Sequence, residues 1–295
     1  MIQGKYNIPF ADYLADPCEC PSLSRSTIID LLDSPARSWW NHPRLNPQPP
    51  EPETETKFDI GTAAHDLLLC GGDSIFVVTG FDDWRKKEAQ EARKAAREMG
   101  KTPLLEKQYE QVCMMSAVAN SAIMDCSELG IKDLRVEGDS EVTYIWMENG
   151  IWCRIRVDWI RAAKDLILDV KTTATCVNPL IFSGHINKMG YGIQSAFYRR
   201  GVKAIEGKEP KFIIMAQETT APYFCSFHGL DMESEDQAQQ KIETAIAKWK
   251  ECLSTGKWEG YPKRVCYSEL RPFDRMEWEI KKVGYGDENE TTGKI

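Results

Sequence analysis

The sequence predicts an α/β fold, a central sheet flanked by helices. Between residues 141 and 172 apolar residues alternate with period two, and Asn149-Gly150 marks a hairpin inside that run. On either side, over 104–126 and 233–253, they recur at helical spacing. Hydrophobic content of 42% and charged content of 28% fit a folded chain with a sizeable core.

Taken in order, Ser24 or Ser26 can cap a helix carrying Ile28, Ile29, Leu31 and Leu32, which Pro35 closes. NPQPPEPETETK, residues 46–57, reads as an extended, exposed connector. FDIGTAAHDLLLC, residues 58–70, turns helical from about Thr62 and breaks at Gly71 and Gly72. Residues 82–99 form an Ala-rich charged helix in which Glu88 and Glu91 meet only Ala92 and Ala95 four residues on. Its Arg85, Lys86, Lys87, Arg93, Lys94 and Arg97 make either a solvated face or a phosphate-facing one. The strands EVTYIWM, IWCRIRVDWI and DLILDVKTT follow. After Pro179 the pattern is helical through GYGIQSAFYRRG, then KFIIMAQETT and YFCSFHGLD make two more strands. The tail after Lys282 is expected to be disordered.

No run of 18 apolar residues occurs, which excludes a membrane-spanning helix, and the start lacks the pattern of a signal peptide. A cytoplasmic protein is expected. A net charge of −8 argues against a surface that grips nucleic acid everywhere. It leaves room for a local basic groove beside an acidic site. The ten cysteines lack C-x-x-C spacing and read as reduced structural thiols.

Side chains two apart on a strand share a face. One face of 151–160 then carries Ile151, Cys153, Ile155, Val157 and Trp159, and the other Trp152, Arg154, Arg156 and Asp158. In the next strand Leu166, Leu168 and Val170 oppose Ile167, Asp169 and Lys171. Pairing of the strands brings Asp158 near Asp169 and Lys171. Two such carboxylates repel unless a cation lies between them, and Mg²⁺ takes one or two carboxylates with phosphate and water. A lysine can orient an attacking water or steady developing charge. An ordinary Lys–Asp ion pair is the plainer alternative.

GTAAH at 61–65, Asp158, Asp169-Val170-Lys171 and Gln194-Ser195-Ala196-Phe197-Tyr198 occur in the order of the RecB-type PD-(D/E)XK nuclease signature, and the chain resembles that family. Over residues 20–275 it is more closely similar to the nuclease domain of the RecE-like exonucleases (exonuclease VIII). The third motif carries Asp169 where others have Glu. The resemblance implies a restriction-endonuclease-like fold with a mixed sheet. Its core is expected at 58–283, preceded by a helical segment and connector at 1–57 and followed by a tail at 284–295, all in a single domain.

The resemblance further implies that Asp158, Asp169, the Val170 carbonyl and His65 hold one or two Mg²⁺ ions, with Mn²⁺ as a possible substitute. Imidazole suits Mn²⁺ better than Mg²⁺. Lys171 would position the water, and Gln194 and Tyr198, four apart on one helical face, would reach the bound strand or the lysine. Glu141 is either a further member of the site or a charge that keeps a strand edge soluble. Arg154 and Arg156 join the six basic residues of 85–97 as candidate DNA contacts. Cys225, Cys252 and Cys266 are too dispersed for the iron–sulfur cluster of some RecB-type nucleases. The implied activity is 5′-to-3′ degradation from duplex DNA ends by a homo-oligomer, a ring in related proteins, commonly phage-derived. Its partner would be a RecT-like single-strand annealing protein. A RecB- or Cas4-like endonuclease or single-strand nuclease, and an inactive DNA-end-binding protein, are the rival readings.

Overall fold

The computed structural model describes residues 1–50 and 56–283. In chain order the elements are β1 (Gly4–Tyr6), α1 (Phe10–Leu14), α2 (Arg25–Asp33), α3 (Pro35–Asn41), α4 (Thr56–Leu69), β2 (Ile75–Val78), α5 (Lys87–Glu98), β3 (Thr102–Leu105) and α6 (Glu106–Asp125). They continue with α7 (Leu134–Glu137), β4 (Gly138–Glu148), β5 (Ile151–Arg161), β6 (Leu166–Thr173), α8 (Pro179–Lys188), α9 (Tyr191–Glu206), β7 (Lys211–Glu218), β8 (Cys225–His228) and α10 (Met232–Thr255). All of these lie in one compact unit, Met1–Gly260. A second unit begins at Tyr261 and carries α11 (Pro272–Val283), on which Phe273, Met276, Trp278 and Ile280 are exposed. No helix among the described residues is long and apolar enough to cross a membrane.

Six strands form the main sheet in the order β1-β4-β5-β6-β7-β8. Every pairing is antiparallel except β6 with β7, whose ends are joined through α8 and α9, so the sheet is mixed. A parallel pair, β2 with β3, stands apart from it and brackets α5. On one face of the main sheet Tyr144, Trp146, Ile155 and Val157 pack with Ile28 and Leu31 of α2, Phe197 of α9 and Ile242 and Trp249 of α10. On the other, Trp159, Leu168 and Val170 pack with Leu68 of α4 and Ala119 and Ile123 of α6.

Local chemistry accounts for the element boundaries. Ser24 caps α2 by accepting the Thr27 N–H, and Asp231 caps α10 by accepting that of Ser234. In α10, Ala238, Ile242, Ala245, Ile246, Trp249 and Cys252 form a buried stripe at helical spacing. Burying Ile242 or Trp249 contributes about 1.5–3 kcal/mol each. Gly190, left-handed at φ 65°, separates α8 from α9 where the sequence suggests one continuous helical stretch.

Several expectations are corrected. The helix around GTAAH starts at Thr56, within the predicted connector, whose residues 51–55 lie outside the described residues, as does the tail from 284. The N-terminal residues belong to the sheet and core, because β1 pairs with β4, Leu23 bridges to Cys153, and Ile28 and Leu31 are fully buried. The face of β5 changes phase. Ile151, Cys153, Ile155 and Val157 share one core, whereas Trp159 faces the opposite one and Ile160 takes its side. The change falls at Asp158, where β5 and β6 part after only two ladder pairs, Trp159↔Leu168 and Ile160↔Ile167.

Candidate active site

The fork between β5 and β6 holds the site. At its apex the Asp158 carboxylate accepts the Val170 N–H at 2.9 Å, so a side chain takes up a backbone donor where the strands diverge. One residue on, Lys171 Nζ lies 2.5 Å from Asp169 Oδ2, and Gln194 Nε2 on α9 donates to Asp169 Oδ1 at 2.6 Å. Asp169 is completely buried, which explains why it is held from both sides.

From the other side α4 delivers His65. Gly61 and His65 are one turn apart on the same helix face, and a Cβ at Gly61 would lie 2.5 Å from Thr172 Oγ1. Glycine therefore lets α4 lie close on β6. His65 Nε2 stands 3.3 Å from Asp158 Oδ2, and its Nδ1 stands 3.4 Å from Glu141 Oε1. Glu141 is a β4 residue with φ 58°, and it drops out of the ladder between the pairs Ser140↔Trp159 and Val142↔Val157.

Charges are strongly coupled here. Burial pushes the Asp169 carboxyl up and Lys171 pulls it back, leaving it at about 6. Burial opposes the charge on Asp158 too, yet His65 and Lys171 hold it well below the usual carboxylate range. Burial disfavours a charged His65, but Asp158 and then Glu141 raise it to about 9. Lys171 is likewise raised, since Asp169 and Asp158 outweigh its burial. The imidazole thus lies between two carboxylates, where a cation would also be held, and as a ligand it would be neutral.

One imidazole nitrogen and one oxygen from each of Glu141 and Asp158 all lie within 4.8 Å of one another. That mixed donor set fits a divalent cation, Mn²⁺ more readily than Mg²⁺. Of the expected set, His65 and Asp158 lie in this convergence together with Glu141, open to two readings in the sequence, while the Asp169 carboxylate contacts Lys171 and Gln194. Among the described residues, Gln194 Oε1 is buried without a hydrogen-bond partner.

Other expected residues fall elsewhere. Tyr198 packs in the core, edge-on to Phe212 at 5.9 Å. Arg154, expected to contact DNA, is 3% exposed; its Nη1 lies 3.2 Å from Asp16 Oδ1 and donates to Ser22 Oγ at 2.6 Å. A guanidinium committed to a buried carboxylate is a structural tie rather than a phosphate contact. Arg156 turns onto Glu141. On α5, Arg97 pairs with Asp59 of α4 at 2.9 Å and Arg93 lies 3.7 Å from it; ahead of the helix, Arg85 is bound to Asp83. Lys87 with Glu91 and Lys94 with Glu98 form i,i+4 pairs in the base-to-acid direction, which the acid-to-base count overlooks. Lys86, Lys87 and Lys94 are exposed. Tyr191, which the sequence reasoning missed, puts its ring 5.5 Å from Lys171 Nζ and 5.4 Å from the Arg25 guanidinium. Its place three residues before Gln194 on the same helix was the available signal.

No curated protein matches the sequence. The crystal structure of a "Putative exonuclease" from Eubacterium rectale superposes with a TM-score of 0.59, covering 92% of this chain and 98% of that one at 14% identity. That likeness shows a shared fold. A second structure, SSO0001, aligns at 14% identity over 66% of this chain and 87% of that one, with a TM-score of 0.27, too low to carry weight. Residues 24–269 match the model of the PDDEXK-like domain of unknown function (DUF3799), most of the chain and all of the site described above, and the chain belongs to that family.

Proposed function

We propose that the chain is a divalent-metal-dependent deoxyribonuclease that hydrolyses phosphodiester bonds from the ends of double-stranded DNA. The observation that carries this is the fork itself: a cation-sized convergence of His65, Glu141 and Asp158 beside a lysine braced by a buried aspartate. The divalent ion, when bound, supplies Lewis-acid stabilisation of the attacking and leaving oxygens. His65, Glu141 and Asp158 would hold it. Lys171 is a nearby cation that is not a ligand, and its ammonium orients the attacking water and steadies charge at the phosphate. Asp169, fixed by Gln194, keeps that ammonium in place, and Tyr191 offers it a ring face.

The finer parts of the proposal rest on the sequence resemblance: 5′-to-3′ polarity, 3′ single-stranded tails handed to a strand-annealing partner, and a ring-shaped homo-oligomer. The test is release of acid-soluble nucleotides from end-labelled linear duplex, closed circular duplex and single strands, with Mg²⁺ or Mn²⁺, by native protein and Asp169→Ala. Metal-dependent release from linear duplex that vanishes in the variant supports the proposal. Cleavage of closed circles favours an endonuclease, and the absence of any cleavage by folded protein refutes nuclease activity.

A further inference from the structure

Arg156 stands among the basic residues that the sequence offers to DNA, yet its side chain is only 12% exposed. Its Nε lies against Glu141 Oε2, its Nη1 donates to the Ile8 carbonyl at 2.6 Å, and its guanidinium stands 5.7 Å from the Phe10 ring. Both oxygens of Glu141 are thereby assigned. Oε2 takes Arg156, and Oε1 faces His65 at 3.4 Å. A charge that merely kept the edge of β4 soluble would need neither partner and would not be three-quarters covered.

The backbone says the same. A non-glycine residue at φ 58° inside a strand is sparsely populated, and it persists only where its surroundings over-determine it. At Glu141 that conformation interrupts the ladder opposite Asp158 and accompanies a carboxylate that reaches the cation-sized gap. Arg156 sits two residues before Asp158 on the neighbouring strand, where its fork can hold Glu141 and the Ile8 carbonyl together. Lysine, with one ammonium on a flexible stem, lacks that planar two-sided reach.

We propose that Arg156 is a positioning residue: it fixes Glu141 as the third donor of a divalent-cation site, and through Ile8 and Phe10 it makes the N-terminal segment a structural part of that site. The inference rests on the metal-site reading above. Outer groups that orient ligands typically govern metal affinity by about 10–100-fold.

The test is calorimetric titration of Mn²⁺ and Mg²⁺ into the full chain, with thermal melting as the check on folding. Glu141→Gln and Arg156→Met should each weaken Mn²⁺ binding by about tenfold or more. The double variant should be no weaker than the worse single one, and Arg156→Lys should recover part of the affinity. Native affinity in a folded Arg156→Met, or losses that simply add, would overturn the proposal. Should Arg156→Met not fold, Phe10→Ala removes only the ring beneath the guanidinium. An affinity loss of about threefold there supports the proposal, and an unchanged affinity overturns it. A native chain that binds no divalent cation sinks this inference and the metal-site reading together. If native protein binds Mn²⁺ but cleaves no DNA, only the nuclease proposal fails, and the affinities of the variants still decide the role of Arg156.

Discussion

Exchanging Gly61 for alanine tests how α4 is seated on the sheet. On an open helix surface the exchange stabilises by about 0.5–1 kcal/mol, because glycine loses the most backbone freedom on folding. Here the new Cβ would meet Thr172 Oγ1 at 2.5 Å, against a β-branched side chain with little rotamer freedom. Ordinary contact requires about 1 Å more, and overpacking of this kind costs about 1–3 kcal/mol. The clash therefore wins, and Gly61→Ala should destabilise by about 1–2 kcal/mol in urea unfolding. At about 2–4 °C per kcal/mol for a unit of this size, the melting point should fall by roughly 2–8 °C. His65 is one turn along, so lifting α4 should also weaken Mn²⁺ binding. Thr172→Ala removes the obstructing oxygen. In that background Gly61→Ala should be neutral or stabilising by about 0.5–1 kcal/mol, a coupling of about 1–3 kcal/mol in the double-mutant cycle. A raised melting point for Gly61→Ala alone, or strict additivity of the two changes, would refute the close-approach explanation.

Arg154→Met should destabilise by about 3–5 kcal/mol, because it strands buried Asp16, while leaving DNA affinity of the folded fraction unchanged. A loss of DNA binding without loss of stability would return Arg154 to the phosphate contacts. Asp16 itself gives a pH signature: burial opposes its charge, but His42, Arg154 and Ser22 bring it down to about 2. A folded pKa below the ordinary 3.8 means stability that is present above about pH 4 and lost as pH falls toward 2, about 2 kcal/mol in all. The urea-midpoint gap between native protein and Asp16→Asn should shrink over that window, and a constant gap would refute it. Reversing the exposed Lys86, Lys87 and Lys94 to Glu should weaken duplex binding and flatten its salt dependence by about one unit of slope per true phosphate contact. An unchanged slope would assign them to the solvated face.

Period and spacing made much of this legible. Alternation located β4, β5 and β6, and the Asp169–Lys171 face of β6 is as the alternation requires. Alternation failed at Trp159 because a strand leaving its neighbour can change phase, and no residue type announces such a break. Arg154 looked like its neighbour Arg156 in sequence, yet its partner Asp16 comes from a distant segment that only the tertiary fold brings near. The strands β1, β2 and β3, three or four residues long, were too short to show a period. Glu141 was visible as an acid ahead of the strand. Its left-handed backbone, which aims it at His65, was not.

The hydrogen bond from Val170 to Asp158 has a bearing on how any mutational survey of this fork should be interpreted. One oxygen of that carboxylate closes the seam between two strands as well as carrying charge toward the cation gap. Truncation to alanine would open the seam and remove the charge at once, and any loss of the proposed activity would be assigned wholly to the charge. Asparagine keeps an acceptor for the amide and discards only the charge. The difference between the two variants, in amide exchange at Val170 and in cation binding, is therefore a direct separation of the seam from the proposed cation-holding role of Asp158.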